Sequence, residues 1–547
     1  MKYIRKFSTP EDREAYMAST PAPDMPYMHL VESTGEVKFS SPEVDYPLYI
    51  KALGNLTVKF GNTYEYSKDN VTWKSATSST SISAVAGERV FFRASGLTAS
   101  SSKGIGSFTI SNGDCNVGGN IMSMVYGADF KGKTEITQTY QFYRLFYISS
   151  STGGRIVDAS GLALPATTLT NYCYAYMFNF QHKLTNAPAL PATTLVDNCY
   201  NNMFYGCTSL VNAPALPATK LANYCYQNMF YGCTSLVNAP ALPATTLTNY
   251  CYAYMFYNCS SLVNAPELPA TTFAKSCYNH MLSGTNFLPD CSNIDFASYS
   301  VVSKGALIGL FAGTRVRDED LAEILPINSD GKYCLPSSSI SSYCYQYMFQ
   351  GCTNLVTAPE LPTTSLGSYC YSYMFDGCTN LVNAPKLPAT SIAQRCYEYM
   401  FQGCTSLVNA PELPATKLSS DCYVSMFSGC TSLVNAPALP ATALASQCYF
   451  RMFEGCTSLV SAPELPATTL ASYCYQYMFL DCSKLSYIKA MFTTAPVNSS
   501  SSNGHTYRWV EGVSPTGTFV KNSAATWADV FGTYAIPEGW TVELADA

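Results

Sequence analysis

The strongest constraint on this chain is an internal repeat of 26 residues, such as LVNAPALPATKLANYCYQNMFYGCTS, which begins at Leu210. A cysteine followed by a tyrosine recurs with this period in two runs, the first starting at Cys173 and the second at Cys344. The runs contain five and six clear units. One such unit cannot bury its own apolar face, so neighbouring units must stack and share a continuous core. The sequence therefore predicts an α/β repeat solenoid.

The pattern within one unit predicts its local structure. Leu210–Pro217 alternates apolar and polar residues and then meets proline, which has no N–H to donate, so the strand should be only three or four residues long. Leu221, Cys225 and Met229 are four residues apart, which predicts a short helix or helical turn with one buried face. Gly232 then turns the chain into the next strand. Stacking at about 4.8 Å per unit gives about fourteen units a length of roughly 70 Å.

Degenerate units extend and interrupt the array. NIMSMVYGADF around Met124, FYRLFYISS around Leu145 and ALIGLFAGTRV around Phe311 keep part of the pattern without its cysteines. An irregular insert covers residues 279–334 and carries the densest charge cluster, RVRDEDLAEI. Within it, Asp318–Ile324 predicts a short helix, and the insert as a whole predicts a bulge or kink.

The cysteines are predicted to fill the core. The chain has 23 of them, an odd number, and no CxxC pair, which argues against a disulfide framework and against zinc. Stacking brings equivalent cysteines within the range of a disulfide, but their side chains would all point the same way. We therefore expect small buried apolar side chains, and no metal or cofactor.

Several functions are disfavoured by what the sequence contains. Neither GxSxG nor HExxH occurs, so we expect no enzyme activity. A net charge of −6 does not favour nucleic acid, and no stretch approaches 18 apolar residues, so no membrane insertion is expected. The first twenty residues lack the apolar segment of a Sec signal peptide, which predicts a protein that stays in the cytoplasm or leaves it by another route.

Tyrosines form three columns around the first cysteine of each unit. The residue after this cysteine is tyrosine in all eleven units, which predicts packing. A third column is tyrosine in only some units, and we call it the outer tyrosine column. Its members are Tyr176, Tyr254, Tyr347, Tyr373, Tyr399 and Tyr477. An exposed ring offers apolar area with a polar tip, which suits sugar or protein recognition, whereas rings stacked on one another would form a structural sheath.

Acidic residues recur at one position, directly after the first proline of the unit. They are Glu267, Glu360, Glu412 and Glu464. Two interpretations stay open for these carboxylates. They form a polar binding surface on the sheet, or they occupy a solvated strand position that accepts any polar or small residue.

The repeat resembles a known family. MFYGCTSL at Met229–Leu236 is similar to the core of the BspA-like bacterial leucine-rich repeats, with methionine where that family has alanine. Cys225 lies where the family usually has a buried isoleucine. The resemblance extends over about Gly119–Met491 and implies a solenoid of the leucine-rich-repeat type that serves as a binding surface.

The flanks resemble proteins of gut Bacteroidales and their phages. KYIRKFSTPEDREAYM, from Lys2, is similar to a segment of crAss-like phage proteins, and the residues from Gly517 resemble the cap of such arrays. Alternating patterns over Pro47–Leu97 predict a small β-sandwich. We therefore divide the chain into an N-terminal attachment segment, a β-sandwich, a solenoid and a C-terminal cap. Their ranges are 1–44, 45–113, 114–490 and 491–547.

The sequence and its resemblances together predict a non-enzymatic binding or structural protein. The first hypothesis is a phage virion component, such as a tail or head fibre, whose solenoid recognises a glycan or protein on the host surface. Its N-terminal segment would join it to other virion proteins. The alternative is a BspA-like bacterial adhesin that reaches the cell surface by a route other than Sec. Assembly into a homo-oligomer is left open.

Overall fold

A computed structural model describes most of the chain. The described residues are 5–7, 28–31, 36–39, 42–149, 153–263, 266–270, 273–285, 305–325, 327–335, 340–496 and 504–545. The first three of these ranges are strands, β1 to β3, which form one small sheet with β1 parallel and β3 antiparallel to β2. They are β1 Arg5–Phe7, β2 Met28–Val31 and β3 Glu36–Phe39. Part of the predicted insert, including residues 286–304, lies outside the described residues.

Two packed sheets follow, as the alternating pattern predicts. A three-stranded sheet has the order β10-β5-β8, and a six-stranded sheet has the order β12-β11-β4-β9-β6-β7. Phe92 and Phe108 meet between the two sheets with ring centroids 4.9 Å apart. The strands are β4 Tyr49–Ala52, β5 Leu56–Phe60, β6 Tyr64–Ser67, β7 Lys74–Ala76, β8 Ile82–Ala84, β9 Arg89–Arg93, β10 Phe108–Ser111, β11 Cys115–Asn120 and β12 Ile156–Ala163. The predicted β-sandwich ahead of the solenoid is confirmed.

The sandwich and the solenoid share a sheet. β11 pairs antiparallel with β4 of the sandwich and parallel with β12. Asp158 of β12 then bridges in parallel to Asn186, the first of the strand positions in the regular units. The solenoid therefore grows from the edge of the sandwich by continued strand pairing, and the division of the chain into four domains stays a prediction.

Where a short helix or helical turn was predicted in each unit, the described residues form a run of turns and no helix. Residues 223–232 form a run of tight turns in which φ is positive at every fourth residue, at Tyr224, Asn228 and Gly232. Alternate amides bond in different directions: Met229 donates to Tyr226 within the unit, whereas Phe230 donates to Met255 in the next unit at 2.9 Å. In an α-helix, all these amides would donate to carbonyls within the same helix. The four-residue spacing thus identified the buried face correctly but not the backbone.

The strand side of the regular units is reduced to single parallel bridges. Asn186, Asn212 and Asn238 form one such series, one residue per unit. Prolines shortly after these positions remove the N–H groups that a longer ladder would need. The predicted strands of three or four residues are therefore shorter than expected, and inter-unit bonding moves to the turns.

Regular strands return at the C-terminal end. β13 (Tyr487–Ala490), β14 (Thr518–Lys521) and β15 (Thr541–Leu544) form a parallel sheet that extends the series of bridges. Trp509 is fully buried and covers the last rings of the core, with its centroid 6.1 Å from that of Phe479. These residues close the apolar end of the array, as an end cap must.

Two aromatic ladders form the core of the array. The tyrosine after the first cysteine is buried in all eleven units, as predicted, and neighbouring rings stack, for example Tyr200 on Tyr226 at 5.8 Å. A parallel ladder of phenylalanines stacks in the same way, for example Phe204 on Phe230 at 5.6 Å. Every unit therefore contributes one tyrosine and one large apolar side chain to a core that runs along the array.

The cysteines lie in this core. All described cysteines are free thiols, and every one except the half-buried Cys334 is buried. In the second cysteine column, each thiol donates to a phenylalanine carbonyl of the preceding unit, as Cys233 does to Phe204 at 3.2 Å. The burial expected of small apolar side chains is thus observed, and each thiol of the second column also adds a hydrogen bond between units.

Burial should make these thiols unreactive. It raises the pKa of Cys251 to about 12 and also raises that of Cys334, which is the least buried of the described cysteines. We expect iodoacetamide at pH 8 to label Cys334 first and to leave the two cysteine columns unlabelled while the chain is folded. Peptide mass spectrometry, with a guanidinium-unfolded sample as control, measures this. Rapid labelling of Cys225 in the folded protein would contradict it.

Two of the three degenerate units belong to the array. Phe146 donates to Met177 at 3.0 Å and Phe311 donates to Met348 at 3.0 Å, the same bonds that join regular units. The assignment around Met124 is wrong. These residues form a one-turn α-helix, Ser123–Tyr126, followed by a 3-10 turn, and the amide of Gly127 donates to Ala94 of the sandwich. The other described 3-10 turn is at Pro42–Asp45.

The insert is continuous with the array on its turn side. The amide of His280 donates to Ile308, and that of Gly284 donates to Ala312, so the bonds between units pass through it. The predicted helix Asp318–Ile324 is confirmed, and its N-terminus is capped by Asp320, whose carboxylate accepts from the Arg317 amide at 2.7 Å. Among the described residues, the turn side of the insert therefore keeps the bonding of the regular units.

Candidate functional site

Two tyrosine columns are partly exposed: the one directly before the first cysteine and the outer tyrosine column. The tyrosines of both lie at positions of positive φ. Their φ values lie between 54° and 64°. The residues are Tyr172, Tyr176, Tyr224, Tyr250, Tyr254, Tyr343, Tyr347, Tyr369, Tyr373, Tyr399, Tyr473 and Tyr477. This conformation costs a side chain other than glycine about 1–2 kcal/mol, because the β-carbon crowds the following carbonyl. Aromatic residues kept at strained positions indicate that their rings contribute something that glycine or asparagine would not.

The central part of the outer tyrosine column forms one stack of rings. Tyr347 and Tyr373 are 4.8 Å apart between centroids, and Tyr373 and Tyr399 are 4.5 Å apart. The row of rings continues back through His280, which stacks on Tyr254 at 5.1 Å and meets Tyr347 at 5.8 Å in a tilted orientation. We call these residues the five-ring stack. Each tyrosine in it is half-buried, so the ring faces are shared along the stack while edges remain accessible.

His280 joins the two halves of the stack across the insert. It leans over Gly309, where a β-carbon would come within 2.6 Å of the imidazole ring. Burial lowers the pKa of His280 to about 4, so the ring is neutral at physiological pH. Only the fold brings this histidine into line with the tyrosines.

The remaining members of the column lie apart from the stack. A guanidinium of the same chain lies near each: Arg144 is 5.4 Å from the ring of Tyr176, and Arg451 is 4.5 Å from that of Tyr477. The structure thus brings together Tyr347, Tyr373 and Tyr399 directly, adds Tyr254 through the histidine, and leaves the two terminal members with cationic neighbours.

Two carboxyl groups that the sequence patterns did not single out border the five-ring stack. Asp376 accepts a hydrogen bond from Gln350 at 2.9 Å, and burial raises its pKa. Burial also raises the pKa of Glu398 to about 7, although Arg395 acts in the opposite direction. Both carboxylates raise the pKa of Tyr373 further. The column of Glu398 is neutral in the other units, and that of Asp376 holds one further carboxyl, Glu454, so the period did not single out either residue.

The carboxyl of Glu398 predicts a pH-dependent stability. Its folded-state pKa lies above the ordinary value of 4.5, so the stability linked to this group is present below about pH 4.5 and is lost as pH rises through about 7. We expect Glu398→Gln to raise the melting temperature at pH 8 and to change it little at pH 4.5. Thermal unfolding at both pH values tests this, with Glu412→Gln, at an exposed site, as control. Equal shifts for the two variants would contradict the assignment.

The predicted glutamates lie in the proline-containing part of the unit. Glu267, Glu412 and Glu464 are exposed, and Glu464 pairs with Lys489 at 3.1 Å. Glu360 is buried; it pairs with Lys332 at 2.8 Å and accepts from the Lys386 amide at 3.1 Å. Glu360 therefore holds neighbouring units together, and a role of these carboxylates in binding stays a prediction.

A family comparison agrees with this geometry. Residues 167–300 and 335–435 match the family described as the BspA type leucine rich repeat region, in six copies. The units within these two ranges are BspA-type leucine-rich repeats. The matched ranges contain all five residues of the five-ring stack. The four tyrosines lie in regular units, and His280 lies at the start of the insert. The chain matches no curated protein and no solved structure.

Within the described ranges, no group of three or more His, Cys, Asp or Glu side chains could hold a metal ion. Over the same part of the chain, no helix has the length and apolar character needed to cross a membrane. Leucine-rich repeats of this family are a binding type of repeat. The chemistry available at the BspA-type array is therefore that of aromatic edges, hydroxyls and a few carboxyls on a regular scaffold.

Proposed function

We propose that the BspA-type array is a recognition surface that attaches the protein to a glycan or protein on a cell surface, without catalysis. The observation that carries this proposal is the five-ring stack, since its tyrosines are partly exposed although their backbone conformation is unfavourable. The family of the repeats supports it, because such repeats bind partners.

The scaffold suits recognition because it holds the rings in place. The amide of Tyr373 donates to the next unit at 2.9 Å, and that of Tyr347 does so at 3.0 Å. Rings fixed by such bonds and by stacking lose little freedom when a ligand binds. A partner that meets the edges and hydroxyls of this surface therefore gains contacts at a low cost in entropy.

Substituting the stack tests the proposal. Asn202 and Asn228 occupy the same column with φ values of 55°, so asparagine is compatible with this backbone. We expect the triple variant Tyr347→Asn, Tyr373→Asn, Tyr399→Asn to fold normally and to lose at least about tenfold in binding to host cells.

Flow cytometry with the labelled full-length protein measures this binding. The matched control is Tyr172→Asn together with Tyr224→Asn, which makes the same change in the column before the cysteine, where Asn198 already occurs. Unchanged cell binding by a well-folded triple variant would contradict the role of the stack.

The setting we propose is a phage virion, in which the protein is a tail or head fibre component. The resemblance of the segment from Lys2 to crAss-like phage proteins supports this. That segment would contact other virion proteins while the array faces outward. A mass-spectrometric census of purified virions tests the proposal, and a complete census without this chain would exclude it.

A second candidate is a BspA-like bacterial adhesin, which the family of the repeats favours. In that case the chain lies on the outer surface of a bacterium and uses the same tyrosine-bearing face. Antibody labelling of intact and permeabilised cells separates the two settings. Label confined to permeabilised cells would exclude the adhesin.

A further inference from the structure

A separate concave site lies on the turn side of the units that follow Phe180. It has a volume of about 270 Å³, and we call it the notch. Its floor is Gly206 and Gly232, and one wall is Tyr205 and Tyr231, whose rings stack at 4.5 Å. The notch is two units long, because the next residue in the glycine column is Asn258.

Phe180 forms the end of the notch. It occupies the column in which most other units have glycine, with a φ of 57°. Its ring projects over Gly206, where a β-carbon would come within 2.5 Å of the ring, and it meets Tyr205 edge-on at 5.3 Å. A phenylalanine at this position is unfavourable for the backbone, and it closes a space that glycine would leave open.

The lining of the notch indicates the chemistry of its ligand. No Lys, Arg, Asp or Glu side chain lines it, so a charged ligand would find no partner. The stacked rings of Tyr205 and Tyr231 offer edges and hydroxyls, and Thr208 also lines the notch. His182 also borders the notch, and its Nδ1 atom is buried without a hydrogen-bond partner.

A peptide main chain is the less suitable occupant. The floor amides are already used: Gly206 donates to Tyr231 at 2.8 Å, and Gly232 donates to Tyr257 at 2.7 Å. No row of free backbone donors is therefore available for an added strand. Hydroxyl groups, by contrast, donate and accept, which matches the hydroxyls of a sugar. The Phe180 ring over Gly206 offers an apolar surface to the C–H groups of a pyranose.

We propose that the notch binds a neutral pyranose of a glycan. Sugar binding at the notch rests on the proposed function and adds a ligand class to it. The notch shares no residue with the five-ring stack, so sugar binding here and cell binding there can be lost separately.

Saturation-transfer NMR on the full-length protein tests the proposal. The probes are glucose, galactose, mannose, lactose and cellobiose, with glucuronic acid and triglycine for comparison. We expect transfer to at least one of the neutral sugars and not to the two comparison compounds. No transfer to any neutral sugar, or transfer to triglycine alone, would overturn the proposal.

Two variants locate the site. Phe180→Gly removes the end wall and relieves the backbone, so the protein should be at least as stable while sugar binding weakens on the order of tenfold. Gly232→Asn places a side chain in the floor. A β-carbon there meets only the Cα of Gly206, at 4.0 Å, and asparagine is accepted at Asn258 in the same column.

The matched control is Gly429→Asn, the same substitution in the same column but far from the notch, with similar space for a β-carbon. It should leave the sugar signal unchanged. Sugar transfer that persists in both Phe180→Gly and Gly232→Asn would overturn the assignment of the site. Cell binding that survives without any sugar signal would overturn the notch proposal alone and leave the proposed function intact.

Discussion

Phe375→Ala, in the middle of the array, is expected to lower the free energy of unfolding by about 3–5 kcal/mol. Phe375 is fully buried and stacks between Phe349 at 5.7 Å and Phe401 at 5.6 Å. The substitution removes a ring from both contacts and leaves a cavity. The turns on either side are bonded to their neighbours, so they cannot collapse to fill it. Chemical denaturation followed by circular dichroism measures the change.

The effect should spread only to adjacent units. Each unit of a solenoid contacts its neighbours alone, so the loss weakens two interfaces and favours local opening there. Hydrogen exchange should accordingly rise around residues 349–401 before it rises elsewhere. The control is Tyr200→Phe, which keeps a stacked ring but removes a buried hydroxyl that has no hydrogen-bond partner. It should be neutral or stabilising by up to about 1 kcal/mol, and equal destabilisation by the two variants would contradict the cavity argument.

Gly403→Val should destabilise the array by about 2–3 kcal/mol through the backbone. Gly403 has a φ of 69°, which a β-branched residue adopts only under strain. Space is not the obstacle, since a β-carbon there would lie 3.7 Å from the Cα of Gly377. The chain cannot relax to negative φ either, because the Gly403 amide donates to Ser428 in the next unit at 2.8 Å. Denaturant unfolding curves measure the loss.

Gly403→Asn separates strain from bulk. Asparagine tolerates positive φ, as Asn258 shows in the same column with a φ of 56°. We expect this variant to lose less than about 1 kcal/mol. If the valine and asparagine variants unfolded at the same denaturant concentration, side-chain size and not backbone conformation would determine which residues this column accepts.

The sequence was most informative where a residue type repeats with the period. The burial of the tyrosine after Cys225, and that of both cysteine columns, follows from stacking equivalent positions in a narrow core. The helix Asp318–Ile324 was predicted because its signal is local. Family resemblance, too, followed from the repeated motif at Met229–Leu236.

The sequence was least informative about the backbone and about single exceptions. A four-residue spacing suits both a helix and a run of turns, and only hydrogen bonds between units, such as that from Phe230 to Met255, favour the turns. These bonds join residues 25 apart, so no local pattern encodes them. Phe180 and Glu398 depart from the repeat, and their roles depend on what the neighbouring units place beside them.

By itself, then, the sequence determined that the chain is a stacked array of 26-residue units, which columns are buried, and that a sandwich precedes it. The period alone requires this, because each unit has one apolar face to bury. Only the tertiary structure decided that tyrosines sit at positive φ, that His280 links their rings across the insert, and that two glycines behind Phe180 leave a notch. Those features arise between units, where side chains from one repeat meet the backbone of the next.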